Sequence, residues 1–324
     1  MTPAGAFTEV PLRCPACGVP FLALRCEGCG THFADVDGIV CASDRDELQR
    51  SQGPMLAAEW LPGDDASLAA ACDAASALDP VGLLWRERML EAVFTLAHYP
   101  EHATAPIAES LRGNAVTLAG LGAWIDRHAT PAMTPALDVG CGPGRLLFDL
   151  APRFAGGVIG LDLRVGMLRI ARRLLDAGRI SLPWRLHGRA FVPITVRAPR
   201  PVAPVVRLVQ GSVYRAPVAP AGHALVSALS LLDILPDPLA GLAALDALVA
   251  PHGLLLVASP YQWDPDVTPP ERWWSSPEAT LRDALTARGY RLIEEAAALP
   301  WAIPSHDRLV HHYALHAVLA RKMR

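Results

Sequence analysis

The sequence predicts an open α/β sheet that follows a small metal-binding unit and a helical connector. Three observations support this prediction: an apolar segment that runs into closely spaced glycines, buried-strand patterns that recur after it, and two Cys-x-x-Cys pairs near the start. With 52% hydrophobic and 19% charged residues among 324, the chain can bury a large core and has room for two or three units. Its net charge of −3 argues against a uniformly basic nucleic-acid binder.

The central motif is Ala136-Leu-Asp-Val-Gly-Cys-Gly-Pro-Gly-Arg145, and a helical pattern follows it. A glycine loop between a strand and a helix lets a ligand approach the backbone at the helix N-terminus. The Gly-x-Gly-x-Gly spacing differs from the Gly-x-Gly-x-x-Gly of dinucleotide-binding loops, which favours S-adenosylmethionine over NAD. An ordinary strand-turn-helix corner is the alternative. The residues expected at the methionyl end of the cofactor are Asp138, Gly140, Gly142 and Gly144.

A second buried-strand pattern, Val158–Asp162, ends in an acidic residue about 20 residues after the loop. At this position, open α/β sheets hydrogen-bond a ribose diol. We therefore expect Asp162 to bind the ribose, and its neighbour Leu163 to contact the cofactor.

Residues 130–324 resemble the class I S-adenosylmethionine-dependent methyltransferases in five motifs that occur in the family's order. These are Leu137–Gly144, Gly160–Leu168, Val209–Val213, Leu231–Pro238 and Leu248–Val257. The resemblance implies a Rossmann-like, seven-stranded methyltransferase sheet and an enzyme that transfers one-carbon groups. Family members usually have an acidic residue at the position of Ser212, where it accepts a hydrogen bond from the adenine amine. Serine is a weaker acceptor than a carboxylate, although we still expect Ser212 near the adenine.

Four of the seven cysteines form two Cys-x-x-Cys pairs: Cys14, Cys17, Cys26 and Cys29. Each pair points two thiolates at one ion, and two pairs complete the tetrahedron of a structural zinc site. Because no export signal is visible at the start, we expect a cytoplasmic protein with reduced thiols. The alternatives are a redox Cys-x-x-Cys and accidental spacing, and His32 is either a substitute ligand or a solvated side chain.

The segments Leu12–Cys17 and Cys29–Val40 resemble small zinc-ribbon proteins that act as activator subunits of methyltransferases. The resemblance implies a ribbon that packs on the catalytic domain of the same chain. The expected organisation is a zinc ribbon in residues 1–45, an acidic connector and helical cap in residues 46–130, and the methyltransferase domain in residues 131–324. No apolar run is long enough to span a membrane.

One stretch of the predicted methyltransferase domain is unusually basic. Residues 177–232 contain no Asp or Glu, but seven arginines: Arg179, Arg185, Arg189, Arg197, Arg200, Arg207 and Arg215. The pattern predicts an inserted strand or hairpin ahead of the third core strand. Its arginines either form an electropositive lip for an anionic substrate or are solvated on an edge strand.

The segment Ser259–Trp274 is too polar and proline-rich for a core, yet it contains Tyr261, Trp263, Trp273 and Trp274. Aromatic walls suit a pocket that excludes water and holds a flat or cationic methyl acceptor. Asp233 follows the fourth strand, at the sheet edge where ligands bind, and is expected to orient or deprotonate the acceptor. Asp233, Tyr261 and Trp263 are therefore the candidate catalytic residues. The alternatives are a helix cap for Asp233 and a structural lid for the aromatic residues.

The aromatic segment and Leu299–Arg308 resemble the methyltransferase domain that N-methylates mercaptohistidine in ovothiol biosynthesis. The chain departs from that family at Pro304 and Ser305, where the family pattern has Arg and Glu. The resulting hypothesis is N-methylation of a small, histidine- or amino-acid-derived acceptor. Two alternatives remain: an rRNA or tRNA methyltransferase that uses the ribbon and the arginine-rich insertion, and a non-catalytic scaffold with the methyltransferase fold.

Overall fold

The computed structural model describes residues 12–43, 45–57, 65–129, 135–201 and 206–324. The strands in these ranges are β1 (Leu12–Arg13), β2 (Pro20–Phe21), β3 (Ala34–Val36), β4 (Ile39–Cys41), β5 (Ala136–Val139), β6 (Val158–Asp162), β7 (Arg179–His187), β8 (Ala190–Arg197), β9 (Val206–Gln210), β10 (His223–Leu229), β11 (Val249–Ser259), β12 (Tyr290–His306) and β13 (Leu309–Lys322). The α-helices are α1 (Arg45–Ala57), α2 (Asp65–Ala77), α3 (Leu83–His98), α4 (Arg112–His128), α5 (Arg145–Leu150), α6 (Val165–Ala177), α7 (Pro238–Leu248) and α8 (Pro277–Ala287).

The central sheet confirms the predicted α/β fold. Its order is β12-β13-β11-β10-β5-β6-β9-β4-β3. The strands from β11 to β9 pair in parallel, and β13 is antiparallel to both β11 and β12. Strand β5 is fully buried, as a central parallel strand covered on both faces must be. Because parallel neighbours end at one edge, the segments after β5, β6, β9, β10 and β11 lie along the same side of the sheet.

The N-terminal unit is part of this sheet. Strand β4 pairs in parallel with β9, with Val40 opposite Val209 and Cys41 opposite Gln210. The side chain of Gln210 continues the contact, since its Nε2 donates to Ser43 Oγ at 3.0 Å and its Oε1 accepts from the Ser43 amide at 3.2 Å. The predicted seven strands are therefore extended by β4 and β3. The start of the predicted ribbon, residues 1–11, lies outside the described residues.

Helix α1 occupies the segment that the sequence predicts to be an acidic connector. It has little apolar periodicity, and Leu48 is its fully buried anchor, packed with Cys41 and Val165. Tertiary hydrogen bonds stabilise the helix instead: Gln52 Nε2 donates to Leu163 O at 2.6 Å, and Gln52 Oε1 accepts from the Val165 amide at 2.7 Å. Such long-range contacts leave no local sequence pattern, which explains why the helix is absent from the prediction.

The inserted hairpin is confirmed as β7 and β8, which form a separate two-stranded sheet between α6 and β9. Trp184 anchors this hairpin in a core beneath the helical cap. Two of the arginines in the basic stretch contact other parts of the protein: Arg189 donates to Ser76 O at 2.8 Å, and Arg200 pairs with Asp149 at 3.4 Å.

Among the described residues, no helix is long and apolar enough to cross a membrane.

Candidate active site

The glycine loop connects β5 to α5 in a conformation that side chains tolerate poorly. Gly142 and Gly144 have φ angles of +51° and +81°. A Cβ on Gly144 would lie 2.8 Å from the Cβ of Ala171, whereas a Cβ on Gly142 would meet no atom within 4 Å. Gly144 is therefore needed for helix packing, while Gly142 leaves open space beside the loop, where a ligand can approach the backbone.

Asp162 lies beside this loop at the end of β6. Its Oδ2 accepts from the Gly142 amide at 2.8 Å, and its Oδ1 accepts from the Arg164 amide at 2.8 Å. Burial raises the pKa of Asp162, and these two backbone hydrogen bonds oppose that shift. Each carboxylate oxygen has two lone pairs, so both oxygens can still accept from a ligand hydroxyl.

Asp138 is 4% exposed and lies on β5, two residues before the loop. Its Oδ1 accepts from Ser227 Oγ at 2.7 Å. Burial raises the pKa of Asp138 to about 7, the Ser227 hydrogen bond lowers it, and the nearby Asp162 raises it further. The side chain thus titrates near neutral pH, so its charge is sensitive to a cation bound at the loop.

The helical cap also contacts the glycine loop and the start of α5. Tyr99 is fully buried, and its hydroxyl donates to Pro143 O at 2.9 Å. Arg145, the first residue of α5, pairs with Glu101 at 3.0 Å and with Asp149 at 2.5 Å. Tyr99 belongs to no sequence motif, because its support of the loop depends on a tertiary contact between residues far apart in the chain.

A cavity of about 380 Å³ opens beyond Asp162. It is lined by Pro15, Ala16, Thr31, Phe33, Ala42, Ser43, Glu47, Leu163, Gly211, Ser212, Tyr214 and Arg215. Two predicted cofactor residues, Leu163 and Ser212, therefore face the same space. Ser212 Oγ also accepts from the Tyr214 amide at 3.3 Å, as the cap of a short helical turn.

Asp233 lies at the same edge, after β10. It is buried, its Oδ1 accepts from Ser259 Oγ at 2.8 Å, and burial raises its pKa. Ser259 Oγ also accepts from the Tyr261 amide at 3.0 Å, so Ser259 links two of the three candidate catalytic residues, Asp233 and Tyr261. Tyr261 has a φ of +55°, a strained conformation of the kind that clusters at functional sites.

The predicted aromatic wall forms in part. The ring centroids of Tyr261 and Trp263 are 6.1 Å apart, and those of Trp263 and Trp274 are 5.6 Å apart in an edge-to-face arrangement. Trp273 does not join this cluster; it is 40% exposed, and its Nε1 donates to Thr268 O at 2.8 Å. Three of the four aromatic residues, Tyr261, Trp263 and Trp274, therefore pack against one another.

A chain of hydrogen bonds leads away from Tyr261. Its hydroxyl lies 2.8 Å from Nδ1 of the buried His316, and His316 Nε2 lies 2.7 Å from Glu295 Oε1. Arg282 Nε donates to the same Glu295 oxygen at 2.6 Å. Burial acts to raise the pKa of Glu295, but the hydrogen bonds from His316 and Arg282 hold it below its usual value. Since the carboxylate only accepts, Nε2 donates to Glu295, and the tautomer with its one proton on Nε2 can accept a hydrogen bond from the Tyr261 hydroxyl at Nδ1.

The comparison with known families identifies the fold. Residues 136–190, which run from β5 through the glycine loop into the inserted hairpin, match the family model described as a methyltransferase domain. This part of the chain is similar to a methyltransferase domain. Together with the strand order and the glycine loop, the match confirms the predicted enzyme class, the S-adenosylmethionine-dependent methyltransferases. No curated protein matches the sequence significantly.

Several solved structures are similar to the chain at low sequence identity. Magnesium protoporphyrin IX methyltransferase from Synechocystis PCC 6803, solved with bound SAM, is 16% identical over 68% of this chain and 85% of that chain, with a TM-score of 0.44. A SAM-dependent methyltransferase from Aquifex aeolicus is 18% identical over 76% and 99% of the two chains, with a TM-score of 0.42. A third, from Methanosarcina mazei, is 14% identical over 62% and 97%, with a TM-score of 0.43.

The four predicted cysteine ligands form one cluster next to the methyltransferase domain. The sulfur atoms of Cys14, Cys17, Cys26 and Cys29 all lie within 4.8 Å of one another. The Cys14–Cys29 and Cys17–Cys26 sulfur distances are 3.6 and 3.4 Å. Four thiolates about 2.3 Å from one tetrahedral zinc ion would be about 3.8 Å apart, so the cluster fits such an ion. His32 lies outside the cluster and is exposed.

The backbone of the two Cys-x-x-Cys turns explains this geometry. The Gly18 amide donates to Cys14 O at 2.8 Å, and the Gly30 amide donates to Cys26 O at 2.8 Å. In each turn, the amide of the glycine donates to the carbonyl oxygen of the first cysteine four residues earlier. Phe21 stacks on Phe33 behind them with ring centroids 4.4 Å apart, which makes a small apolar core for the ribbon.

Proposed function

We propose that the protein transfers a methyl group from S-adenosylmethionine to a nitrogen of a small, histidine- or amino-acid-derived acceptor. The observation that carries the proposal is the alignment, along one sheet edge, of the glycine loop, Asp162, the cavity that contains Leu163 and the buried Asp233. This edge is where open α/β folds bind ligands. When bound, S-adenosylmethionine supplies an activated methyl group on a sulfonium.

In this proposal, the cofactor residues have the roles that the sequence suggests. Asp138 and the three loop glycines bind the methionyl end, where the raised pKa of Asp138 falls as the cationic cofactor approaches. Asp162 accepts from the ribose hydroxyls while it holds the Gly142 amide. Leu163 and Ser212 contact the nucleobase end in the cavity. The four cysteines hold a structural zinc ion, because four protein ligands leave no open coordination position.

The acceptor binds between Asp233 and the aromatic rings of Tyr261, Trp263 and Trp274. Such walls exclude water and orient a flat ring or an amine, and these effects supply much of the acceleration of a displacement at carbon, about 7–11 kcal/mol. The likeness of residues 259–274 to the mercaptohistidine N-methyltransferase domain supports a small acceptor of this kind.

The hydrogen bonds from Tyr261 to His316 and from His316 to Glu295 can carry a proton away from the acceptor nitrogen. As the acceptor nitrogen bonds to the methyl carbon, the sulfur–carbon bond breaks and its electron pair returns to sulfur. The nitrogen then holds one proton too many, which passes to the Tyr261 oxygen while the phenolic proton moves to Nδ1 of His316. The Glu295 carboxylate, 2.7 Å from Nε2, stabilises the resulting imidazolium.

The proposal is tested first by calorimetry and then by labelling. The zinc-loaded protein should bind S-adenosylmethionine, and failure to bind would refute the proposal. Incubation with methyl-labelled cofactor and a small-molecule extract should then yield a labelled compound in mass spectrometry, with total RNA assayed in parallel. Label in RNA alone would support the nucleic-acid alternative, and binding without label in either pool would support the non-catalytic scaffold.

The proton route is tested with the labelled product. The variants Tyr261→Phe and His316→Gln should each lower the rate of transfer about 10²- to 10⁴-fold, the usual contribution of general-base catalysis, while the affinity for S-adenosylhomocysteine changes less than about twofold. Tyr313→Phe is the matched control, because it removes a nearby hydroxyl outside the chain of hydrogen bonds. Wild-type rates in the first two variants would exclude the route and leave the methyltransferase proposal intact.

A further inference from the structure

The cavity beside Asp162 has walls from two different parts of the chain. One wall is the methyltransferase domain, through Leu163, Gly211, Ser212, Tyr214 and Arg215. The facing wall is the ribbon and the first turn of α1, through Pro15, Ala16, Thr31, Phe33, Ala42, Ser43 and Glu47. Leu163 directly follows the predicted ribose ligand, so this is the space in which the nucleobase of a bound cofactor would lie.

The polar groups in the cavity differ from those expected at the adenine end. Ser212, in the position of the usual carboxylate, has a hydroxyl that already accepts from the Tyr214 amide. Glu47 is the one acidic residue among those that line the described cavity. An adenine amine has two N–H donors, and a carboxylate is its strongest protein acceptor.

The position of Glu47 is fixed from both sides. Before it, Ser43 exchanges two hydrogen bonds with Gln210, the last residue of β9. After it, Gln52 bridges Leu163 O and the Val165 amide, which flank the end of β6. Leu48, next to Glu47, is buried against the sheet edge. The first two turns of α1 are thus attached to both strands that define the cofactor edge.

We infer that the adenine ring binds in this cavity and that Glu47 accepts the hydrogen bond from its exocyclic amine. The inference rests on the proposed function and deepens it. In this arrangement, the ribbon and α1 form one wall of the nucleobase pocket. The Glu47 carboxylate accepts the hydrogen bond from the adenine amine, for which Ser212 is a weaker acceptor. Phe33, Leu163 and the ring of Tyr214 supply apolar surface for the base.

The experiment compares two ligands by calorimetry with the full-length, zinc-loaded protein. S-adenosylhomocysteine has the amine at carbon 6 of the purine, and S-inosylhomocysteine has a carbonyl oxygen there, which would face the carboxylate as a second acceptor. Wild-type protein should prefer the adenosyl compound about 10- to 100-fold, the range for a charge-assisted hydrogen bond. Glu47→Ala should reduce this preference below about threefold, mainly by weakening the binding of S-adenosylhomocysteine.

Two further variants separate the contributions. Asp46→Asn changes an adjacent carboxylate that does not line the cavity, so it should keep the wild-type preference. Ser212→Ala should change the preference less than Glu47→Ala does. Circular dichroism and thermal unfolding of each variant check that α1 and the fold are retained.

The outcomes distinguish the inference from the function on which it rests. If the wild-type protein binds neither compound, the proposed function fails. If it binds S-adenosylhomocysteine but shows no preference between the two bases, or if Glu47→Ala keeps the preference, the role of Glu47 is overturned and the cofactor assignment stands.

Discussion

The buried carboxyl of Asp138 makes the stability of the protein depend on pH in a calculable way. Its folded pKa of about 7 lies above its usual value of 3.8. The folded state therefore holds this proton more tightly than the unfolded state. The corresponding stability is fully present below about pH 4 and is lost as the pH rises towards 7. A difference of about 3 pKa units amounts to about 4 kcal/mol.

The variant Asp138→Asn isolates this effect, because an amide of the same shape stays neutral at every pH. We expect the free energy of unfolding of the wild type, minus that of the variant, to fall by about 3 kcal/mol between pH 5 and pH 8. Urea unfolding at several pH values measures it. Most of the fall should occur below pH 7, and the difference should level off above it.

Ser227→Ala provides the matched control. Its hydroxyl donates to Asp138 Oδ1 and thereby lowers the pKa of the carboxyl, so its removal should move the midpoint of the pH dependence upwards. A difference between wild type and Asp138→Asn that stays constant within about 0.5 kcal/mol from pH 5 to pH 8 would refute the reasoning, since this carboxyl would then not titrate in that range.

Three further predictions concern the loop, the ribose ligand and the metal. Gly144→Ala should destabilise the fold by about 1–3 kcal/mol or more in urea unfolding, because strain adds to a contact with Ala171, whereas Gly142→Ala should cost less. Asp162→Asn should weaken the binding of S-adenosylhomocysteine at least tenfold by calorimetry, since an amide nitrogen or oxygen cannot satisfy both backbone donors and the ribose. Cys14→Ser should lower the zinc content and weaken the binding of S-adenosylhomocysteine, because the ribbon residues that line the cavity lose the support of the metal. An unchanged affinity for S-adenosylhomocysteine in the metal-free protein would contradict this prediction.

Local patterns predict much of the methyltransferase fold. The glycine loop, the acidic end of β6, the strands around them and the inserted hairpin all leave short signatures of apolar runs, glycines and turn residues. The two Cys-x-x-Cys pairs are equally local, because each turn is closed by hydrogen bonds within a few residues. For these features, the sequence neighbours of a residue determine its conformation.

Features that depend on distant residues are harder to predict. The pairing of β4 with β9 joins Val40 to Val209. Helix α1 is held mainly by Gln52 and Leu48, whose partners Leu163 and Val165 are also distant in the sequence. His316 and Glu295 have no motif of their own, so their connection to Tyr261 becomes visible only when β12 and β13 bring them together. The shared cavity of the ribbon and the methyltransferase domain is a further example.

The parallel pairing of β4 with β9 also affects how the protein behaves in solution. An uncovered β9 would be an edge strand with free amide and carbonyl groups, which invites association with other chains. In this protein, a strand of the same polypeptide satisfies part of that edge. Because the covalent link gives the ribbon an effective concentration of the millimolar order or above, the edge should remain covered at any dilution. A separate activator subunit would instead dissociate as its concentration fell.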